Sequence, residues 1–485
     1  MRRVSCLWLV VYLFLVSPCY AHHIKQGATK TLPVTTSSPK ARDLYERAMQ
    51  DYENLYLERA NIGWRAAAVA DPDFALAHLW IAFNSRDPQE ASAAREKAKA
   101  LASKVTPGEQ LMIQWITGVQ ENNFIAGIAA MNDMLEMYPK DKRLLYLVGN
   151  WLMGENEYGP SQKMLERALA IDKNYPAALN DLGYAYARNR EFDQTFAVME
   201  RYVAVLPKEP NPQDSYAELL RMAGRFDAAL EHYRAALKID PDFVSSQLGL
   251  GDTYALMGDE VRARAEYDKA IQGAHNDADR LDYGLQKAMT WARENNFAEA
   301  DKAFSAVAER AHAQGLDLEE AQAHRMMGMY QSEDAAALKH LEAAEDALSH
   351  QANLAQSDRE EERARILRCR AVRAVHAGNQ DLADKTLHQL ETMANASRSN
   401  VIQTSYQGAA GALLMAKQKF ADAIPHLEED RDNPCSMELL SRAYAETGAN
   451  DKMHEVEARL RGTNVPTLEQ ALVVPAARAK RPEYP

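Results

Sequence analysis

Histidine, cysteine and carboxylate side chains hold metals and move protons, so their spacing is where any chemistry would show. Six histidines, His312, His324, His340, His350, His376 and His388, fall in the later half of the chain, at intervals of 12, 16, 10, 26 and 12. None of these is the i, i+4 step that puts two imidazoles on one helix face. They read as solvated or partly packed side chains. His454-Glu455 lacks the second histidine of a zinc-binding H-E-x-x-H helix. His22-His23 is a copper- or nickel-type donor pair of a kind that is usually incidental. Glu319-Glu320 and Glu360-Glu361-Glu362 sit in helical surroundings and read as a solvated face. Paired-carboxylate catalysis would need a pocket to hold them. No phosphate-binding G-x-x-x-x-G-K-[ST] loop and no G-x-S-x-G elbow occurs. Gly249-Leu250-Gly251 lacks the third glycine and the preceding strand of a dinucleotide site. The expectation is therefore no catalytic residue, no metal and no cofactor.

Composition narrows the class. The 485 residues include 22 glycines and 19 prolines, about 8% together against about 12% in average usage. An all-β chain needs more frequent turns. A 47% hydrophobic and 26% charged chain is neither disordered nor polytopic. The net charge of −13 argues against nucleic acid, which needs a basic face.

Arg2 and Arg3, the uncharged apolar stretch 7–16 and Cys19-Tyr20-Ala21 have the layout of an export signal over 1–21. The apolar stretch is too short to span a bilayer, which takes about 20 residues. An uncleaved anchor is the alternative; lipid attachment at Cys19 is disfavoured by Pro18. Losing Arg2 and Arg3 would take the charge from −13 to −15. Residues 22–37 read as a flexible linker, rich in Thr, Ser and Pro. After cleavage Cys369 and Cys435 remain, 66 residues apart. They read as two free, mostly buried thiols.

The elements that would position any site are copies of one unit. Gly149, Gly183, Ala217 and Gly251 recur every 34 residues, and so do Leu152, Tyr186, Leu220 and Tyr254. Leu145, Val148 and Leu152 lie at i, i+3, i+7, one helical face. The small residues mark close helix approach. Gly224 and Gly258 fall between helices, where a left-handed cap suits glycine. Pro207 and Pro241 end second helices. This pattern resembles the tetratricopeptide repeat family, whose 34-residue unit is a helix–turn–helix. The expected fold is an all-α solenoid of helical hairpins, a right-handed superhelix of about twelve pairs. A regular array of about seven repeats covers 38–277, about five looser ones cover 278–462, and 463–485 reads as an extended C-terminal tail. Cys369 and Cys435 would then sit about two repeats apart, too far for a disulfide.

The resemblance implies a concave surface lined by first helices. The positions it maps as partner-binding are Tyr146, Asn150, Asn180, Tyr184, Arg188, Asp214, Glu218, Arg221 and Asp252. Some members clamp a terminal carboxylate with lysines, asparagine and arginine. The corresponding positions are Tyr146, Asn150, Asp181, Asn211 and Ser215, and only Asn150 matches. The expected function is an exported, non-enzymatic scaffold that binds a protein or peptide. The alternatives are an envelope-assembly accessory at a membrane or a small-molecule-sensing module.

Overall fold

A computed structural model of the chain describes residues 31–350 and 353–479. Those residues form 25 α-helices and one 3-10 turn, with no strand among them. The first hairpins pair α1 (Pro39–Glu53) with α2 (Leu57–Ala70), α3 (Ala75–Asn84) with α4 (Pro88–Leu101), and α5 (Pro107–Gln120) with α6 (Phe124–Met137). The next are α7 (Lys142–Gly154) with α8 (Tyr158–Ile171), α9 (Pro176–Arg188) with α10 (Phe192–Val205), α11 (Asn211–Met222) with α12 (Phe226–Ile239), and α13 (Val244–Met257) with α14 (Glu260–Gly273). Five more follow: α15 (Asp277–Arg293) with α16 (Phe297–Gln314), α17 (Asp317–Tyr330) with α18 (Asp334–His350), α19 (Gln356–His376) with α20 (Gln380–Ala396), α21 (Asn400–Ala416) with α22 (Phe420–Glu429), and α23 (Pro434–Glu446) with α24 (Asn450–Arg461). These are the twelve pairs expected. A twenty-fifth helix, α25 (Leu468–Ala479), has no partner in sequence.

The 34-residue register slips after Asn276 because the helices lengthen. Up to α14 they have at most 15 residues; α15, α16, α18, α19, α20 and α21 have 17 to 21. The packing device does not change. A Cβ at Gly149 would meet Leu165 Cγ at 2.8 Å, and one at Gly328, in the ninth pair, would meet Leu341 Cγ at 2.7 Å. Ten of the twelve within-pair turns hold a residue at positive φ, from Leu55 at the first to Gly448 at the last. Such a residue turns the chain back within a few residues.

Successive first helices touch one another and form the inner layer of the coil. The coil completes a turn and meets itself. Arg86, in the second within-pair turn, pairs with Asp282, with Glu319 at 3.3 Å and with Asp279 at 3.5 Å. Ser397 Oγ donates to Asn122 Oδ1 at 2.9 Å, and the Asn400 amide to Glu155 at 3.1 Å. Tyr56 reaches Glu209 and stacks edge-on against Phe243.

Residues 1–30, and with them the expected export signal, lie outside the described residues. Residues 31–37 were expected to be a flexible linker, yet they run extended across the starts of three first helices. The Leu32 amide donates to Asp141, and Thr35 donates through its amide and its hydroxyl to Glu109, each at 2.6 Å. Thr36 Oγ1 donates to Asp71. Asp141 and Glu109 also cap their own helices, so the strap shares the carboxylates that those helix ends already hold.

Candidate functional site

Eight of the nine predicted partner-binding residues lie together in the inner layer, and seven of them bond to one another or to their neighbours. Asn150 Nδ2 and Asn180 Nδ2 both donate to Asp181, at 2.9 and 3.1 Å. Tyr184 Oη donates to Glu218 at 2.7 Å. Arg221 binds Glu218 at 3.1 Å and Asp252 at 2.6 Å, and Tyr267 Oη adds a second donor to Asp252 at 2.7 Å. Asp214 accepts from Ser246 at 2.6 Å. Tyr146 is buried, edge-on to Tyr175 at 5.8 Å. The result is a ladder from α7 to α14 that ties one repeat to the next. Asp181, Asp214 and Arg221 are each under 7% exposed. Burial pushes the Asp181 carboxyl up to about 6 and Asp214 up to about 7. Arg188 stands apart, exposed at the end of α9.

Of the six later histidines, His312, His350, His376 and His388 are exposed, and His324 and His340 are partly packed. His324 and His340 stack with ring centroids 5.5 Å apart and Nδ1 atoms at 3.2 Å. Burial lowers both below the usual imidazole range.

The inner face is different from α17 onward. Instead of an extended tail, residues 468–479 form α25, which folds back into the groove. Thr467 caps it by accepting from the Gln470 amide at 3.2 Å. Leu468 and Ala471 pack into the core shared by α15, α16 and α17; Val474 packs on Met437 and Leu460. Arg293 donates to Gln470. Asn464 Nδ2 reaches the Met222 carbonyl at 3.2 Å, and Arg478 ties back to Asn464 at 2.6 Å.

Between α25 and the wall lies a cavity of about 340 Å³, lined by Arg325, Arg365, Arg368 and Arg373, by Asp430, and by Glu469 and Leu472 of α25. Arg325 Nε donates to the buried Glu362 at 2.5 Å, and Arg365 reaches the same carboxylate at 3.3 Å. Arg368 pairs with Asp430 at 2.6 Å and with Ser436 Oγ at 2.9 Å. Arg373 donates to the Gly328 and Met329 carbonyls and pairs with Asp334 at 3.4 Å. The Arg368–Asp430 pair lies directly over Gly408, where a Cβ would come within 2.6 Å of both. Among the described residues Arg325 Nη2, Arg368 Nε and Arg368 Nη1 have no hydrogen-bond acceptor, and Glu469 forms no ion pair. The charge of Glu469 nonetheless acts on both Arg325 and Arg368.

Cys369 and Cys435 both line this cavity as free thiols. They are free thiols as expected from sequence, and they share one cavity because α19 and the start of α23 meet there, Arg368 of the first donating to Ser436 of the second. Burial pushes Cys369 up to about 11 and Cys435 higher still, so both are protonated at neutral pH.

The sequence reading missed this site. Thr467-x-x-Gln470 is a capping-box spacing that marks a helix start, but the surrounding prolines masked it. The arginines of α17 and α19 carry no spacing signature, because they converge only through the curvature.

A family model for the TPR repeat matches residues 217–258. The chain is 26% identical over 276 residues to cellulose synthase operon protein C of Xanthomonas axonopodis pv. citri (strain 306), a match covering 52% of this chain and 18% of that one. It is 23% identical over 140 residues to protein O-mannosyl-transferase TMTC1 of Homo sapiens, covering 28% and 16%. It thus spans less than a fifth of the length of these curated relatives. Among solved structures, the APC/C hetero-tetramer Cut9–Hcn1 matches with a TM-score of 0.41 at 14% identity, covering 86% of this chain and 79% of that one. No helix among the described residues is long and apolar enough to cross a membrane. The described residues thus form a solenoid of twelve helical hairpins with a 34-residue register through its first half, and its sixth and seventh hairpins match the TPR repeat.

Proposed function

We propose that the chain is an exported, non-enzymatic scaffold that binds a protein segment on the inner face of its last five repeats. One observation carries this reading: a helix is already seated there, beside an arginine-lined cavity that it does not fill. The earlier inner face is a poorer candidate, because most of its polar groups bond to one another and those left over, Asn180 Oδ1 and Arg221 Nε, are sealed from solvent. Export is supported by the signal-like residues 1–21.

The reading is tested by placing a photoreactive residue at Arg365, in the groove, and at Val69, which is 82% exposed on α2. Crosslinks to a discrete protein in the exported fraction are expected from position 365 and not from position 69. Equal labelling at both sites, or none at 365, would sink the proposal. The export arm is read by N-terminal sequencing, with His22 expected first.

A further inference from the structure

The seated helix is an imperfect occupant. α25 inserts three small or medium apolar side chains, Leu468, Ala471 and Val474. It carries Pro475 inside its last turns, which removes a helical hydrogen bond. It leaves about 340 Å³ against the wall. Its one acidic side chain, Glu469, stands in the field of Arg325 and Arg368 without bonding to either. A groove with arginine N–H groups to spare and an unfilled volume fits a better ligand than the one it holds.

We infer that the groove formed by α15, α17, α19 and α23 is a helix-recognition site with α25 as its exchangeable resident. The partner it fits is an amphipathic helix from another protein. That helix has buried apolar residues at i, i+3 and i+6, as at 468, 471 and 474, and a carboxylate at i+1, as at Glu469, reaching the arginines. The other charged groups at the site set the polarity of this preference. Glu362 and Asp334 each pair with an arginine from outside the cavity lining, and Asp430 lines the cavity paired with Arg368. Four arginines against Asp430 and Glu469 leave the cavity lining net positive, so an acidic position is favoured and a basic one is repelled. The inference rests on the reading of this face as the binding surface, and names the class of segment bound.

The resident lowers the apparent affinity for any competitor by the fraction of time the groove is free. The test uses the full chain and a fluorescent synthetic peptide of residues 463–479. Val474→Asp loosens α25 in the chain without touching the groove wall. The variant is expected to bind the peptide about tenfold or more tightly than the unaltered chain does, while the main thermal transition stays in place. A peptide carrying Glu469→Lys is expected to lose most of that binding. Equal binding of the two peptides, no binding by the variant, or collapse of the main transition in Val474→Asp would each overturn the inference. The last result would make α25 part of the core rather than a resident. The crosslink from position 365 reports separately on the broader scaffold reading. A position-365 crosslink with no peptide binding would leave that reading standing and remove this one.

Discussion

The inner faces of repeats 4–7 and of repeats 9–12 are built from the same hairpin, yet they treat their polar groups oppositely. In the first, Asn150, Tyr184, Glu218, Arg221 and Asp252 close on one another across successive helices. In the second, Arg325 and Arg368 are each anchored from behind and still present donors to a cavity. Polar residues on a concave surface therefore do not by themselves mark a contact site. What distinguishes a site is hydrogen-bonding capacity left over where a ligand can reach it: Asn180 Oδ1 and Arg221 Nε on the first face also lack partners but are sealed from solvent.

The sharpest way to break the comparison is to remove a carboxylate from each face. Asp252→Ala leaves Arg221 buried with only Glu218, and is expected to cost about 3 kcal/mol in denaturant melts. Asp430→Ala frees Arg368 beside a cavity where Ser436 and Glu469 remain, and should cost about 1 kcal/mol. Equal losses would mean that the second face is as closed as the first.

pH tests the closure of the first face next. Asp214 has its folded-state carboxyl raised to about 7 from an ordinary value of 3.8. Its protonated form is favoured by the fold, so that stability is complete below about pH 4 and is lost as pH rises through about 7. Asp214→Asn keeps the acceptor for Ser246 and is expected to raise stability by about 2 kcal/mol at pH 8 while changing little at pH 4. A melt series across this range reads it directly, and a pH-independent effect would contradict the burial argument.

Close packing gives a comparable effect. A Cβ at Gly251 would come within 2.8 Å of two Tyr267 ring atoms. Gly251→Ala is expected to destabilise by about 2 kcal/mol through overpacking, with no change in peptide binding at the distant groove. The smallest effect is a gain. Gln418 holds φ 57° in the eleventh within-pair turn, where Gly448 does the same task at the twelfth. Gln418→Gly is expected to stabilise by about 1 kcal/mol, read as a higher midpoint in urea.

The hairpins, their number and their small-residue contacts were legible in the sequence because each is local: Gly149 meets Leu165 within one pair. Beyond Asn276 the number of pairs was still legible but the register was not, since added helical turns change the repeat length without changing the packing. The concave positions lie in the inner layer, and the bonds they make there were not legible. Whether Asn150 faces a partner or Asp181 depends on a side chain 31 residues away. The arginine cavity was illegible because its members come from separate repeats and from α25, and curvature alone assembles them.

Arg86 has a consequence beyond its three carboxylate partners. A stack of repeats in which each touches only its neighbours unravels from its ends, one unit at a time. Here a residue near one end is bonded to residues about 200 positions later, and the loops beside it repeat the arrangement at Asn122 and Glu155. Fraying the first hairpins means breaking contacts with the later half, so the stack gains the cooperativity of a globular domain. Such long-range closure also has a kinetic side. The later half must be synthesised and folded before the early turns can find their partners, and folding slows with that separation.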